Sequence, residues 1–121
     1  MGQQVRQLRV PIIGAGQGVW SWVHIDDAAA ATAVALECAP GVYNIVDGDA
    51  APQCVWLPAF ACAVGASPPS RITEEEALAR FGPDTLYYAT RLRGASNEKA
   101  KRDLSFQPRP LEWLHRAQPI S

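Results

Sequence analysis

Three glycines, Gly14, Gly16 and Gly18, follow an apolar run in PIIGAGQGVW. Such a turn can bring backbone N–H groups close to a phosphate. A dinucleotide-binding turn needs Gly-x-Gly-x-x-Gly set directly between a strand and a helix, so that the first helical turn meets the pyrophosphate. Here the third position is Val19, and a strand-like segment, VWSWVHI, separates the loop from the next helix. A valine works against the close strand–helix packing that the third glycine permits. The stretch is therefore expected to be a glycine-rich hairpin or loop, and no residue of the chain is assigned to cofactor binding.

Histidine as a residue type switches charge near neutral pH, which makes His24 the next candidate for chemistry. Its nearest carboxylates, Asp26 and Asp27, belong to a helix start, where they suit the positive end of the dipole. His24 is expected to hold the strand–helix junction; lining a substrate cleft and acid–base work are the alternatives. The other histidine is His115, and no spacing supplies a metal ligand set. Glu74, Glu75 and Glu76 follow Thr73 as helix-start charges, with Thr73 and Glu76 at capping-box spacing. Lys99, Lys101 and Arg102 alternate with Glu98 and Asp103 on a solvated helix face, while Ala100 and Leu104, four apart, form its buried stripe.

The elements that must position these residues follow from periodicity and punctuation. Strands are expected over 8–13, 19–25 and 42–47. Helices are expected from Asp26 or Asp27 to Glu37, over 52–64, over 74–81, over 84–92, from Ser96 or Asn97 to Leu104, and over 111–117. The alanine-rich first helix should approach a sheet closely. Pro58 either kinks the second helix or marks its true start. With 121 residues the chain suits one domain, strands and helices mixed over 8–66 and mostly helical over 71–118.

Composition sets further bounds. Apolar residues make up 48% and charged residues 19%, a globular balance. A net charge of −1 gives no basic field for nucleic acid or an anionic membrane. No apolar stretch reaches the roughly 20 residues that span a bilayer. Cys38, Cys54 and Cys62 are odd in number and lack CxxC spacing, so buried, reduced thiols in a cytoplasmic protein are expected.

The run GAGQGVWSWVHIDDAAAA, followed by GVYNIVDG and later by RLRGASNEKAKRDLSFQPRPLEWL, resembles the second half of an extended short-chain dehydrogenase/reductase of the NAD-dependent epimerase/dehydratase family. The segments fall in the family's order and span most of residues 10–114. The resemblance implies an α/β fold made of the C-terminal, substrate-side part, with few short strands and packed helices, and with no counterpart of the N-terminal Rossmann half. Ser105 stands where the family ending usually has glycine. The family implies NAD(P) as cofactor and a catalytic Tyr-x-x-x-Lys pair. Tyr43, Tyr87 and Tyr88 are followed four residues on by Asp47, Arg91 and Leu92, so no such pair exists here, and an arginine, always protonated, does not replace that lysine.

By the same resemblance, Trp20, Ser21 and Trp22 occupy positions that face substrate, with Trp20 where relatives carry a phosphate-binding arginine. That departure favours a less charged or aromatic-stacked substrate; packing is the alternative for both tryptophans. Arg91 and Arg93 stand where a substrate phosphate can be met, with solvated surface charge as the alternative. The expected substrate-binding set is thus Trp20, Ser21, Trp22, His24, Arg91 and Arg93, with no catalytic residue. Three functions fit: a substrate-binding part of an epimerase/dehydratase-like enzyme that does not turn over alone, a non-enzymatic interaction module, or a cofactor-independent isomerase or cyclase using His24 or an aspartate as base. A small-molecule substrate is the expected ligand. A second copy or another chain would cover exposed apolar surface.

Overall fold

The computed structural model describes residues 1–7 and 9–116. Leu8, where the first expected strand begins, and Ala117, where the last expected helix ends, lie outside the described residues. The chain divides into two compact units: the first holds Met1–Trp20, Ala51–Arg93 and the segment from Glu112, and the second holds Ser21–Ala50 and Gly94–Leu111.

The first unit contains α1 (Gly2–Arg6), β1 (Ile12–Ile13), β2 (Val19–Trp20), β3 (Ala51–Pro52), α3 (Gln53–Ala63), β4 (Arg71–Ile72), α4 (Glu74–Phe81), α5 (Pro83–Thr90) and α7 (Glu112–Arg116). The second contains α2 (Ile25–Ala35) and α6 (Glu98–Leu104). The α/β class expected from the sequence holds, with strands of two residues each.

β1 pairs in parallel with β4, and β2 pairs antiparallel with β3. On the other side of β1, the buried Gln53 side chain takes the place of a strand. Its Oε1 accepts from the Ile13 N–H at 3.0 Å, and its Nε2 donates to the Pro11 carbonyl at 3.4 Å. A primary amide presents the same donor and acceptor as a peptide group, so it satisfies an edge that would otherwise stay unpaired in the core.

α3 runs unbroken through Pro58 and buries Trp56, Leu57, Ala59 and Ala61. Proline removes one intrahelical donor, yet the helix continues because its apolar face is held by tertiary packing. Phe60 meets Trp113 of α7 edge-on at 5.2 Å. α4 is capped as its sequence predicts: Thr73 Oγ1 accepts from Glu76 N–H at 3.1 Å. Gly82, at φ 88°, ends α4, and Pro83 opens α5. Ala77 of α4 and Ala89 of α5 are buried together with Ile13.

In the second unit, Ala31 of α2 and Ala100 of α6 are small enough for the helices to pack closely, with Leu104 and Phe106 completing the core. Within this unit α2 thus packs on α6, and Ala29, Ala33 and Val34 stay exposed. Residues 42–47 form no ladder, contrary to the strand expected there. Two of their carbonyls pair with side chains instead: Asn97 Nδ2 donates to Val46 at 2.9 Å and Lys99 Nζ to Val42 at 2.9 Å. Likewise only Val19–Trp20 of the expected 19–25 strand joins a ladder, and Ile25 already opens α2.

α6 ends at Ser105 in the left-handed conformation, φ 52° and ψ 38°, and Phe106 N–H closes on the Ala100 carbonyl. Glycine normally fills such a cap because a Cβ costs about 1–2 kcal/mol there. Ser105→Gly is therefore expected to stabilise the protein by about 1 kcal/mol, read as a raised denaturation midpoint with unchanged slope. An unchanged or lowered midpoint would show that the serine hydroxyl compensates.

Candidate functional site

The glycine loop gives its donors to the protein itself. Gly14 N–H bonds the Ile72 carbonyl, Gly16 N–H that of Ile13 and Gly18 N–H that of Ala89, each at 2.9 Å. Cys54 and Gln53 N–H groups in turn donate to the carbonyls of Gly16 and Gly18, each at 2.9 Å. A Cβ on Gly18 would collide with the backbone of Tyr88 and Ala89, and one on Gly16 would meet Cys54 N at 2.9 Å. These glycines permit backbone-to-backbone packing. They do not fit a dinucleotide pyrophosphate, which needs free N–H groups at the start of a helix.

Trp20, Arg91 and Arg93 lie in the first unit. Trp20 is half-buried, and its Nε1 donates to the Tyr88 carbonyl at 2.8 Å. Its ring lies 5.0 Å from Trp56 and 6.5 Å from Tyr88, both tilted or edge-on contacts. These rings wall an apolar cavity of about 260 Å³ whose other lining residues include Arg9, Ile13, Phe81 and Thr85. Arg91 lines a separate polar cleft of about 160 Å³ with Gly16, Gln17, Glu74 and Thr90. Arg91 and Arg93 are exposed. The structure therefore does not gather Trp20 and Arg91 on one cavity.

Ser21, Trp22 and His24 lie in the second unit, on the extended segment before α2. Ser21 Oγ accepts from Ala95 N–H at 3.0 Å, and the Trp22 carbonyl accepts from Asp47 N–H at 2.6 Å. His24, not an aspartate, caps α2: its Nδ1 accepts from Asp26 N–H at 3.1 Å. That lone pair is committed to the helix, which favours the junction role over a base. Asp26 and Asp27 instead occupy the first turn.

Asp27 makes a contact that sequence reasoning does not find. Arg109 N–H donates to its Oδ2 at 2.9 Å, and the guanidinium adds bonds at 3.1 Å to each carboxylate oxygen. Asp49 Oδ2 similarly accepts from Leu111 N–H at 2.8 Å. Two aspartates thus tie the segment after α6 to the start of α2 and to the turn at Gly48. The Arg109 backbone N–H, and next its guanidinium, hold the Asp27 carboxyl below the usual carboxylate range. A carboxylate so lowered lends its full stability above the ordinary value and loses it as pH falls through the lowered one. Asp27→Asn is expected to lower stability at neutral pH and to flatten the acid limb below about pH 4, as urea titrations across that range will show. Parallel acid limbs for both proteins would contradict the assignment.

The three thiols are free. Cys38 and Cys54 are half-buried, but Cys62 is exposed, against the expectation that all three are buried. It falls on the outward side of α3, opposite the stripe of Leu57 and Ala61. Among the described residues no group of three or more His, Cys, Asp or Glu is placed to hold a metal ion. No helix of the described residues is long and apolar enough to cross a membrane.

No family model matches the chain. A curated relative, a 3-diazoavenalumate denitrifying reductase from a Streptomyces species, is 34% identical over 106 residues, which are 87% of this chain and 35% of the relative. The crystal structure of the human epimerase family protein SDR39U1 (isoform 2) with NADPH is similar at a TM-score of 0.72 and 23% identity, covering 95% of this chain and 39% of that one. The chain carries part of the epimerase/dehydratase fold. A UDP-glucuronic acid 4-epimerase from Bacillus cereus in complex with NAD aligns at a TM-score of 0.57 and 17% identity, over 95% of this chain and 37% of its own. The chain spans about a third of the length of the curated relative it matches.

Proposed function

We propose that this chain is the substrate-binding part of an NAD(P)-dependent reductase or epimerase-like activity and that it does not turn over substrate alone. The observation that carries this is the 34% identity to a reductase of which the matched part is only 35%. A sequence without a Tyr-x-x-x-Lys pair supports it. The relative acts, by its name, on a diazo compound, so reduction is the first chemistry to test.

Within this reading the six residues divide by role. Trp20 offers a ring to substrate in the apolar cavity, while the exposed guanidinium groups of Arg91 and Arg93 offer charge outside that cavity. Ser21, Trp22 and His24 hold the segment that leads into α2. Free thiols suit a reducing compartment such as the cytoplasm. The test is direct: the purified chain, given NADH or NADPH and a diazo acid, is expected to leave the cofactor unoxidised. Cofactor-linked turnover by the chain alone would overturn the reading.

An interaction role is favoured by a different observation, the apolar side chains that the second unit leaves in solvent. Ile25 is 78% exposed, and Leu36 and Val42 are each 84% exposed. Such residues gathered on one surface promote association. Light scattering that shows a monomer at all concentrations would remove this second reading.

A further inference from the structure

The cavity beside Trp20 has a composition that specifies a ligand class. Its floor is shut from solvent: Ile13 and Trp56 are each 2% exposed, and the buried amide of Gln53 is turned to the Ile13 N–H and the Pro11 carbonyl. The Trp20 ring is fixed by its bond to the Tyr88 carbonyl, so it presents a preset aromatic wall. Phe81 and Tyr88, 38% and 49% exposed, stand at the solvent side and give the cavity a way in. Fixed rings bind flat ligands at low entropic cost, by stacked or edge-on contact.

Polarity adds the second half of the specification. Arg9 is the one charged side chain on the lining, and no acidic residue shares it. Among the described residues no carboxylate pairs with Arg9. A weakly hydrated guanidinium beside an apolar cavity suits a planar carboxylate, which it binds through two parallel hydrogen bonds. Size narrows the choice further. An apolar cavity of about 150 Å³ accepts a benzene ring, and this one, at about 260 Å³, leaves room for a short side arm. It falls below the roughly 300–1,000 Å³ of sites for larger ligands such as nucleotide sugars.

We propose that this cavity binds a one-ring aromatic carboxylic acid, its ring against Trp20 and Trp56 and its carboxylate at Arg9. To name that acid a substrate rests on the reading under Proposed function; the binding itself does not. The experiment uses the full chain, trans-cinnamate and its neutral counterpart cinnamamide. Binding is followed by saturation transfer from protein to ligand and by the indole N–H resonances of Trp20 and Trp56. Cinnamate is expected to bind saturably, to shift both indoles, and to bind about tenfold tighter than the amide. Arg9→Gln, a change at an exposed residue, is expected to erase that tenfold difference while leaving the amide's affinity unchanged. Phe81→Ala, at the rim, is expected to weaken both ligands alike.

Equal affinity for acid and amide in the unmodified chain would overturn the assignment, as would saturable binding that leaves both indoles unmoved. Failure of both ligands to bind, or exclusive binding of an aromatic-containing peptide, would also overturn it. None of these results touches the cofactor assay, so the two proposals fail separately.

Discussion

Gly18→Val is expected to destabilise the first unit by about 3 kcal/mol or more, enough to leave a substantial unfolded population. The reason is steric and local. A Cβ at this position would sit inside the contact distance of the Tyr88 carbonyl and of Ala89 backbone atoms. Backbone does not move aside as a flexible side chain does, and here it belongs to the end of α5. Ala89 also receives the Gly18 N–H, and Leu92, just beyond α5, receives the Val19 N–H. Gly65→Ala provides the control. That glycine has φ +72°, but a Cβ placed on it would find nothing within 4 Å, so only the conformational cost of about 1–2 kcal/mol applies. Denaturant titration of both variants compares them. Similar small losses would show that the loop can retreat from α5.

Trp56→Ala is expected to cost about 3–5 kcal/mol, the range for removing a large buried aromatic group. Trp56 is 2% exposed and lies 5.0 Å from the Trp20 ring. Its loss opens a void under Trp20, so the near-ultraviolet circular dichroism of the aromatic cluster should collapse along with the stability. Trp56→Phe keeps a ring there and should lose less. If alanine and phenylalanine cost the same, a smaller ring at this position restores nothing, and the expectation fails.

The helical part of the fold is legible in the sequence because its signals are local. Thr73 and Glu76 announce the start of α4, Gly82 and Pro83 mark the turn into α5, and Ala100 and Leu104 mark the inner side of α6. The strands are legible only as apolar runs. Residues 42–47 have the composition of a strand, yet side chains distant in sequence, Asn97 and Lys99, take the carbonyls of Val46 and Val42. No local pattern reports such a pairing. α1 leaves no sequence signal, because five residues of mixed polarity carry no clear period.

The same division holds for the site. Trp20 stands out by type, and it does sit half-buried on the wall of a cavity. Gln53 and Asp27 do not stand out. Each acts through a partner dozens of positions away, Ile13 and Arg109 respectively. The helix-start aspartates do lie in the first turn of α2, but the cap falls to His24, whose imidazole nitrogen reaches Asp26 N–H from an extended backbone. For the glycines, Val19 already argues against a dinucleotide turn. The structure supplies the positive reason for a loop: close packing against Cys54 and against the end of α5.

This glycine loop is scaffolding: its N–H groups are spent on the protein's own carbonyls, and it does not cradle a dinucleotide pyrophosphate. Amide resonances of Gly14, Gly16 and Gly18, followed while NADPH and then NADH are added to the full chain, test it most directly. All three are predicted to stay in place, since their N–H groups are already bonded to Ile72, Ile13 and Ala89. Saturable, concentration-dependent shifts of these three resonances would contradict the claim.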